Sequence, residues 1–186
     1  MAGRASAPRF RPRTGPNVRF SVVAARFNEP IVKKLVDGAV AAFTAGGVGA
    51  GAIDVHWVPG SFELPLAAHH LAISGRYAGI ACVGVVIRGE TPHFEHVARE
   101  AAAGIRSVAL ATGIPVTFGL ITALTEEQAW ARAGGDVGNR GAEAADAALE
   151  MAHFLSARTF ARPDRGRRPA RRPRRSRADA RDHKQR

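Results

Sequence analysis

With 186 residues and 46% apolar content, the chain is long enough for one ordinary domain with a real core. Its formal charge of +11 is misleading: Arg158 to Arg186 hold thirteen basic and three acidic side chains, so +10 lies there and only +1 on the remaining 157 residues. Composition therefore argues against a basic domain surface, against a disulfide framework (Cys82 is the single cysteine), and against a leader or membrane span, since no run has the required apolar pattern.

Residues 1–17, with Pro8, Pro12 and Pro16 among arginines, read as an irregular arm. Val18–Ala25 is a short β-rich run. Pro30 suits the first turn of a helix, and Ile31, Leu35, Val36, Ala39, Val40 and Phe43 follow at helical spacing until Gly46-Gly47. Ile53–Val58 predicts a second strand, ended by Pro59-Gly60, and Phe62–Ile73 a second helix. Gly79–Ile87 is apolar on both faces, as a parallel strand covered on both sides should be, and Cys82 within it reads as a small buried hydrophobe.

Pro92 to Ala111 predicts a long Ala-rich helix and Pro115–Ile121 a fourth strand. Thr125 and Gln128 form a capping box for a short helix ending at Gly134-Gly135. The last helix runs from Asn139 to Ser156, closing a domain over 18–157. Residues 158–186 combine arginine and proline with almost no large apolar side chain, a composition expected to be disordered. Strands alternating with helices imply an α/β fold with a parallel sheet, whose ligands gather at the carboxyl ends of the strands.

Three loops at such ends carry chemistry. In Gly89-Glu90-Thr91-Pro92-His93 a strand opens through glycine into a helix, leaving backbone N–H groups without partners at the positive end of the helix dipole, a site suited to phosphate. His93 stands in the first turn, within reach of whatever that anion carries, as a group suited to taking a proton. The plainer alternative is a capped turn with an exposed histidine. Phe27 can stack on a planar ring or lid the core, and Ser61-Phe62-Glu63 can grip a polyol or serve as a helix cap. A metal set of His93, His96 and Glu100 lacks the HExxH pattern, and solvated side chains explain that helical face more simply.

The ordered strings ARFNEPIV, VPGSFELP, GVVIRGETPHF, ITALTEEQAWARAGG and GNRGAEAADAALEM, spanning Val18 to Phe154, resemble the lumazine synthase family. The resemblance implies a flavodoxin-like three-layer sandwich with a four-stranded parallel sheet. It implies condensation of 5-amino-6-(ribitylamino)uracil with 3,4-dihydroxy-2-butanone 4-phosphate to 6,7-dimethyl-8-ribityllumazine, with no metal or organic cofactor. It further implies that Phe27 stacks on the pyrimidine with Asn28 shaping that pocket, and that Ser61, Phe62 and Glu63 line the ribityl chain. The backbone of Val86 and Ile87 would meet the pyrimidine edge, Gly89, Glu90 and Thr91 the phosphate, and His93 would shuttle protons. Phe118, Arg132, Arg140 and Glu143 would come from a neighbouring subunit.

Family members form pentamers or shells of sixty subunits. The turn from Gly134 to Gly138 suits the shell, whereas Pro8 and Pro12 suit an added strand poorly. Arg140 stands where the family often has lysine, and Glu95 and His96 where it has Asp and Tyr. Two other classes compete with the enzyme: a flavin-type carrier, and a shell whose Arg-rich tail binds nucleic acid. The expected compartment is the cytoplasm.

Overall fold

The computed structural model describes residues 18–159; the arm over 1–17 and nearly all of the 158–186 tail lie outside the described residues. Four parallel strands, β1 (Arg19–Ala25), β2 (Ile53–Val58), β3 (Tyr77–Ile87) and β4 (Val116–Ala123), form one sheet in the order β2-β1-β3-β4. Helices α1 (Glu29–Ala45) and α5 (Arg140–Thr159) cover one face, α2 (Leu64–Ile73) and α3 (His93–Thr112) the other. This is the three-layer α/β sandwich expected from the alternation of strands and helices.

Each face buries its own core. On one, Phe20, Val22, Val83 and Ile121 of the sheet meet Leu35 and Phe43 of α1 and the small stripe Ala144, Ala145 and Ala148 of α5. On the other, Val23, Ile80, Cys82 and Leu120 meet Leu64 and Ala68 of α2 and Ala101 and Ile105 of α3. The central strand β3 is buried almost end to end, which is why its sequence shows no alternation. Burial pushes the Cys82 thiol up to about 12, leaving it protonated and inert as the composition suggested.

At the amino ends of the strands, away from the candidate loops, Arg19 forms an ion pair with Asp54 and donates to the Gly51 carbonyl at 2.9 Å. Tyr77 Oη donates to Asp54 Oδ2 at 2.8 Å and lies 3.2 Å from His56 Nε2. The Arg19 and Tyr77 hydrogen bonds hold the Asp54 carboxyl down at about 2, against desolvation that opposes them. The folded-state value lies below the ordinary carboxylate value, so this stabilisation is complete above about pH 4 and is lost as pH falls toward 2. Asp54→Asn should cost about 1–2 kcal/mol at neutral pH and flatten the melting temperature between pH 4 and 2, measurable by thermal unfolding across that range.

The main departures from the sequence expectation fall in five places. Ser61–Glu63 forms a 3₁₀ turn and α2 starts at Leu64, because Pro65 is tolerated only in a first turn. Strand β3 begins two residues early at Tyr77, anchored by the Asp54 network, and β4 continues to Ala123 by pairing with Val86 and Ile87. Pro92 occupies the cap position of α3, and no side chain caps that helix. The short helix α4 (Glu126–Ala131) stops before the glycines, which instead belong to a small antiparallel hairpin, β5 (Ala133–Gly135) and β6 (Gly138–Asn139). The capping box forms with a shifted return bond: Gln128 N donates to Thr125 Oγ1 at 3.3 Å, while Gln128 Oε1 accepts from Leu124 N, one residue before the cap, at 3.0 Å.

Candidate active site

Strand order fixes where a ligand can bind. The chain passes from β1 outward to β2, then returns across β1 to β3, so the loops after β1 and β3 leave toward opposite faces. Ligand crevices form at that switch, outside the carboxyl ends of the strands. A cleft of about 390 Å³ lies there, walled by Phe27 after β1, Gly60 to Glu63 after β2, Val85 to Ile87 at the end of β3, and Gly89, Thr91, His93, Phe94 and Val97. Of the expected residues, Phe27, Ser61, Phe62, Glu63, Val86, Ile87, Gly89, Thr91 and His93 thus share one cavity. Gly60, Val85, Phe94 and Val97 join them unforeseen.

The lining has distinct chemical zones. Phe27 is 72% exposed and Phe62 60%, so these rings stand at the cleft and do not lid the core. The Ser61 hydroxyl is buried with no hydrogen-bond partner among the described residues. Gly84 makes room for it, since a Cβ there would come within 2.9 Å of Ser61 Oγ. Around Gly89 and Thr91 the backbone is exposed, and the uncapped amino end of α3 offers donors to an anion. His93 occupies the first position of that helix, at the edge of the same zone.

Asn28 and Glu90 do not line the cleft. Asn28 instead donates from Nδ2 to the Val85 carbonyl at 3.2 Å. Among the described residues no three His, Cys, Asp or Glu side chains are grouped to hold a metal; His96 Nδ1 lies 2.8 Å from Arg99 Nη2 and is engaged there.

Phe118, Arg132, Arg140 and Glu143 also stand apart from their own chain's cleft. Phe118 is 47% exposed on edge strand β4. Arg132 Nη1 donates to the Gln128 carbonyl at 2.9 Å, and Arg140 pairs with Glu143 in the first turn of α5. One residue that the sequence reading passed over, Asn139, organises this second group. Its Oδ1 accepts from Gly141 N and Ala142 N, and its Nδ2 donates to the Lys34 and Ala133 carbonyls. The Arg140 N–H meets the Arg132 carbonyl at 2.9 Å, so the two arginines are tied together across the hairpin. Asparagine immediately before an Ala-rich helix was the available signal.

A doubly wound sheet with such a cleft at its switch point defines an α/β protein that binds small molecules outside the carboxyl ends of its strands. Residues 17–156, three quarters of the chain, match the sequence model of the family described as 6,7-dimethyl-8-ribityllumazine synthase. The chain belongs to that family, transferases of riboflavin biosynthesis whose members take small-molecule substrates and assemble into oligomers. No helix among the described residues is long and apolar enough to cross a membrane.

Proposed function

We propose that this enzyme condenses 5-amino-6-(ribitylamino)uracil with 3,4-dihydroxy-2-butanone 4-phosphate to 6,7-dimethyl-8-ribityllumazine, releasing phosphate and water. The observation that supports it is the single cleft lined at once by an exposed aromatic ring, a buried unpartnered hydroxyl, an uncapped helix end and a histidine. Phe27 stacks on the pyrimidine, with Asn28 holding that wall. Ser61, Phe62 and Glu63 hold the ribityl chain, and the Val86 and Ile87 backbone meets the pyrimidine edge. Gly89 and Thr91 cradle the phosphate, with Glu90 in the same turn, and His93 moves protons.

The 5-amino nitrogen attacks the ketone, and His93 assists the proton transfers as water departs to give an imine. Loss of the α-proton and of phosphate, whose leaving oxygens are stabilised by the donors at the start of α3, yields an enol. Tautomerisation and attack by the ribitylamino nitrogen on the remaining carbonyl close the second ring with loss of a second water. Every step is polar and heterolytic, so none requires a metal or organic cofactor. Holding two reactants together offsets on the order of 7–11 kcal/mol of barrier.

Phe118, Arg132, Arg140 and Glu143 serve a neighbour's cleft, with Arg132 neutralising the phosphate, in a pentamer or a larger shell. Phe118, Arg140 and Glu143 are exposed and Arg132 is half-buried on one chain, and the separation of all four from its own cleft favours this arrangement. The planar guanidinium of Arg140 keeps the charge of the lysine usual there and can grip two oxygens at once. A cytoplasmic setting suits the lone buried Cys82.

The arrangement is tested with Arg132→Ala. Its KM for the butanone phosphate should rise about 10- to 100-fold, with the uracil KM little changed. Dissociating and reassembling Arg132→Ala together with His93→Ala should restore activity neither has alone, because some sites then draw an intact residue from each chain. Equal effects on both KM values, or no restoration, would contradict the shared site.

A further inference from the structure

The switch between β1 and β3 opens the cleft, and one side chain spans it. Asn28 is the sole non-glycine residue with positive φ among the described residues, at φ 61° and ψ 38°. This left-handed conformation is disfavoured for most side chains, and asparagine tolerates it best. Its carbonyl accepts from Ile31 N and Val32 N to start α1, while its side-chain amide reaches across to the Val85 carbonyl. The rungs pairing β1 with β3 end at Ala24 and Val83, so Val85 lies beyond that ladder and the Asn28 amide ties the two strands where backbone pairing has stopped. Phe27 is the adjacent residue, largely exposed, and shares the cleft wall with Val85.

We infer that Asn28 is the positioning residue that fixes the Phe27 ring against the heterocycle, a role that rests on the reading of Phe27 as the stacking residue. The left-handed turn at Asn28 sets the direction in which the chain leaves Phe27, and the clamp to Val85 sets the distance from Phe27 to the opposite wall. An exposed ring on an unclamped loop samples several rotamers, and each must be frozen when the substrate stacks. With the clamp made, Phe27 and the β3 backbone present a slot of fixed width before substrate arrives. Asn28 therefore acts on the pyrimidine half of the reaction and leaves the phosphate half, at the start of α3, untouched.

Three substitutions separate conformation from clamp. Asn28→Gly keeps the left-handed turn and loses the amide; Asn28→Asp tolerates the turn and sets a carboxylate against a carbonyl; Asn28→Ala loses amide and conformation together. Both KM values are measured, along with binding of 6,7-dimethyl-8-ribityllumazine followed by its absorbance change on stacking. Asn28→Gly and Asn28→Asp should raise the uracil KM about 5- to 30-fold and weaken lumazine binding in proportion, with the butanone phosphate KM within about twofold of wild type. Asn28→Ala should show the same split with a lower melting temperature.

Adding Asn28→Gly to Phe27→Ala should change neither KM further, because the residue through which it acts is already gone. Wild-type uracil affinity in Asn28→Gly, equal rises in both KM values, or a full additional loss on the Phe27→Ala background would each overturn the inference while leaving the proposed reaction standing. A wild-type protein that neither turns over nor binds lumazine would overturn both.

Discussion

Replacing Gly141 by alanine should leave almost no folded protein. Gly141 opens the first turn of α5 where that helix crosses α1, and a Cβ there would lie 2.0 Å from the Leu35 carbonyl oxygen, 2.7 Å from its carbon and 2.9 Å from its Cα. These are backbone atoms inside a helix, so no side-chain rotation relieves the overlap. The helices must instead move apart, opening the contacts of Ala144, Ala145 and Ala148 with Phe20, Leu35 and Phe43. Overpacking against side chains typically costs 1–3 kcal/mol, and against an immobile backbone we expect more than about 4 kcal/mol. That approaches the whole stability of a small domain, about 5–15 kcal/mol. Soluble yield and melting temperature check it; a variant melting within a few degrees of wild type would show that α1 and α5 have more slack than their contact suggests.

Replacing His93 by alanine should lower kcat about 100-fold, near the lower end of the roughly 10²–10⁴-fold typical of acid–base groups. His93 is exposed at the first position of α3. A ring so placed is not clamped in advance, and bound substrate must complete its orientation. Both KM values should stay within a few-fold of wild type, because the ring contacts of Phe27 and the donors around Gly89 remain. Steady-state rates followed by lumazine absorbance measure this. A variant within twofold of wild-type kcat would mean that water or substrate carries the protons and that the cleft works by positioning alone.

Much of the fold was legible because the strongest signals are local. The both-sided apolar run of β3, the helical spacing of α1 and the Thr125–Gln128 box each identified an element directly. What was missed depends on partners distant in sequence. The early start of β3 reflects Tyr77 meeting Asp54, and the extra length of β4 reflects Val86 and Ile87. The two strands of the β5–β6 hairpin hold only five residues, too few for any alternation to show.

Within the candidate site, nine expected residues line one cleft because their loops all follow strand ends. Phe94 and Val97 were passed over because an apolar residue in an amphipathic helix reads as core. Asn139 was passed over because one of its four hydrogen bonds reaches back to Lys34, more than a hundred residues away, and its place there depends on Gly38 lacking a Cβ. For Asn28, sequence suggested a part of the pocket, but its left-handed turn and its bond to Val85 are visible only in three dimensions.

The most direct measurement is turnover by the purified full-length chain supplied with 5-amino-6-(ribitylamino)uracil and 3,4-dihydroxy-2-butanone 4-phosphate, reading lumazine absorbance and phosphate release together. One phosphate should be released per lumazine formed, at a rate well above the spontaneous condensation of the same mixture. Folded protein that gives no more lumazine than the buffer alone would contradict it.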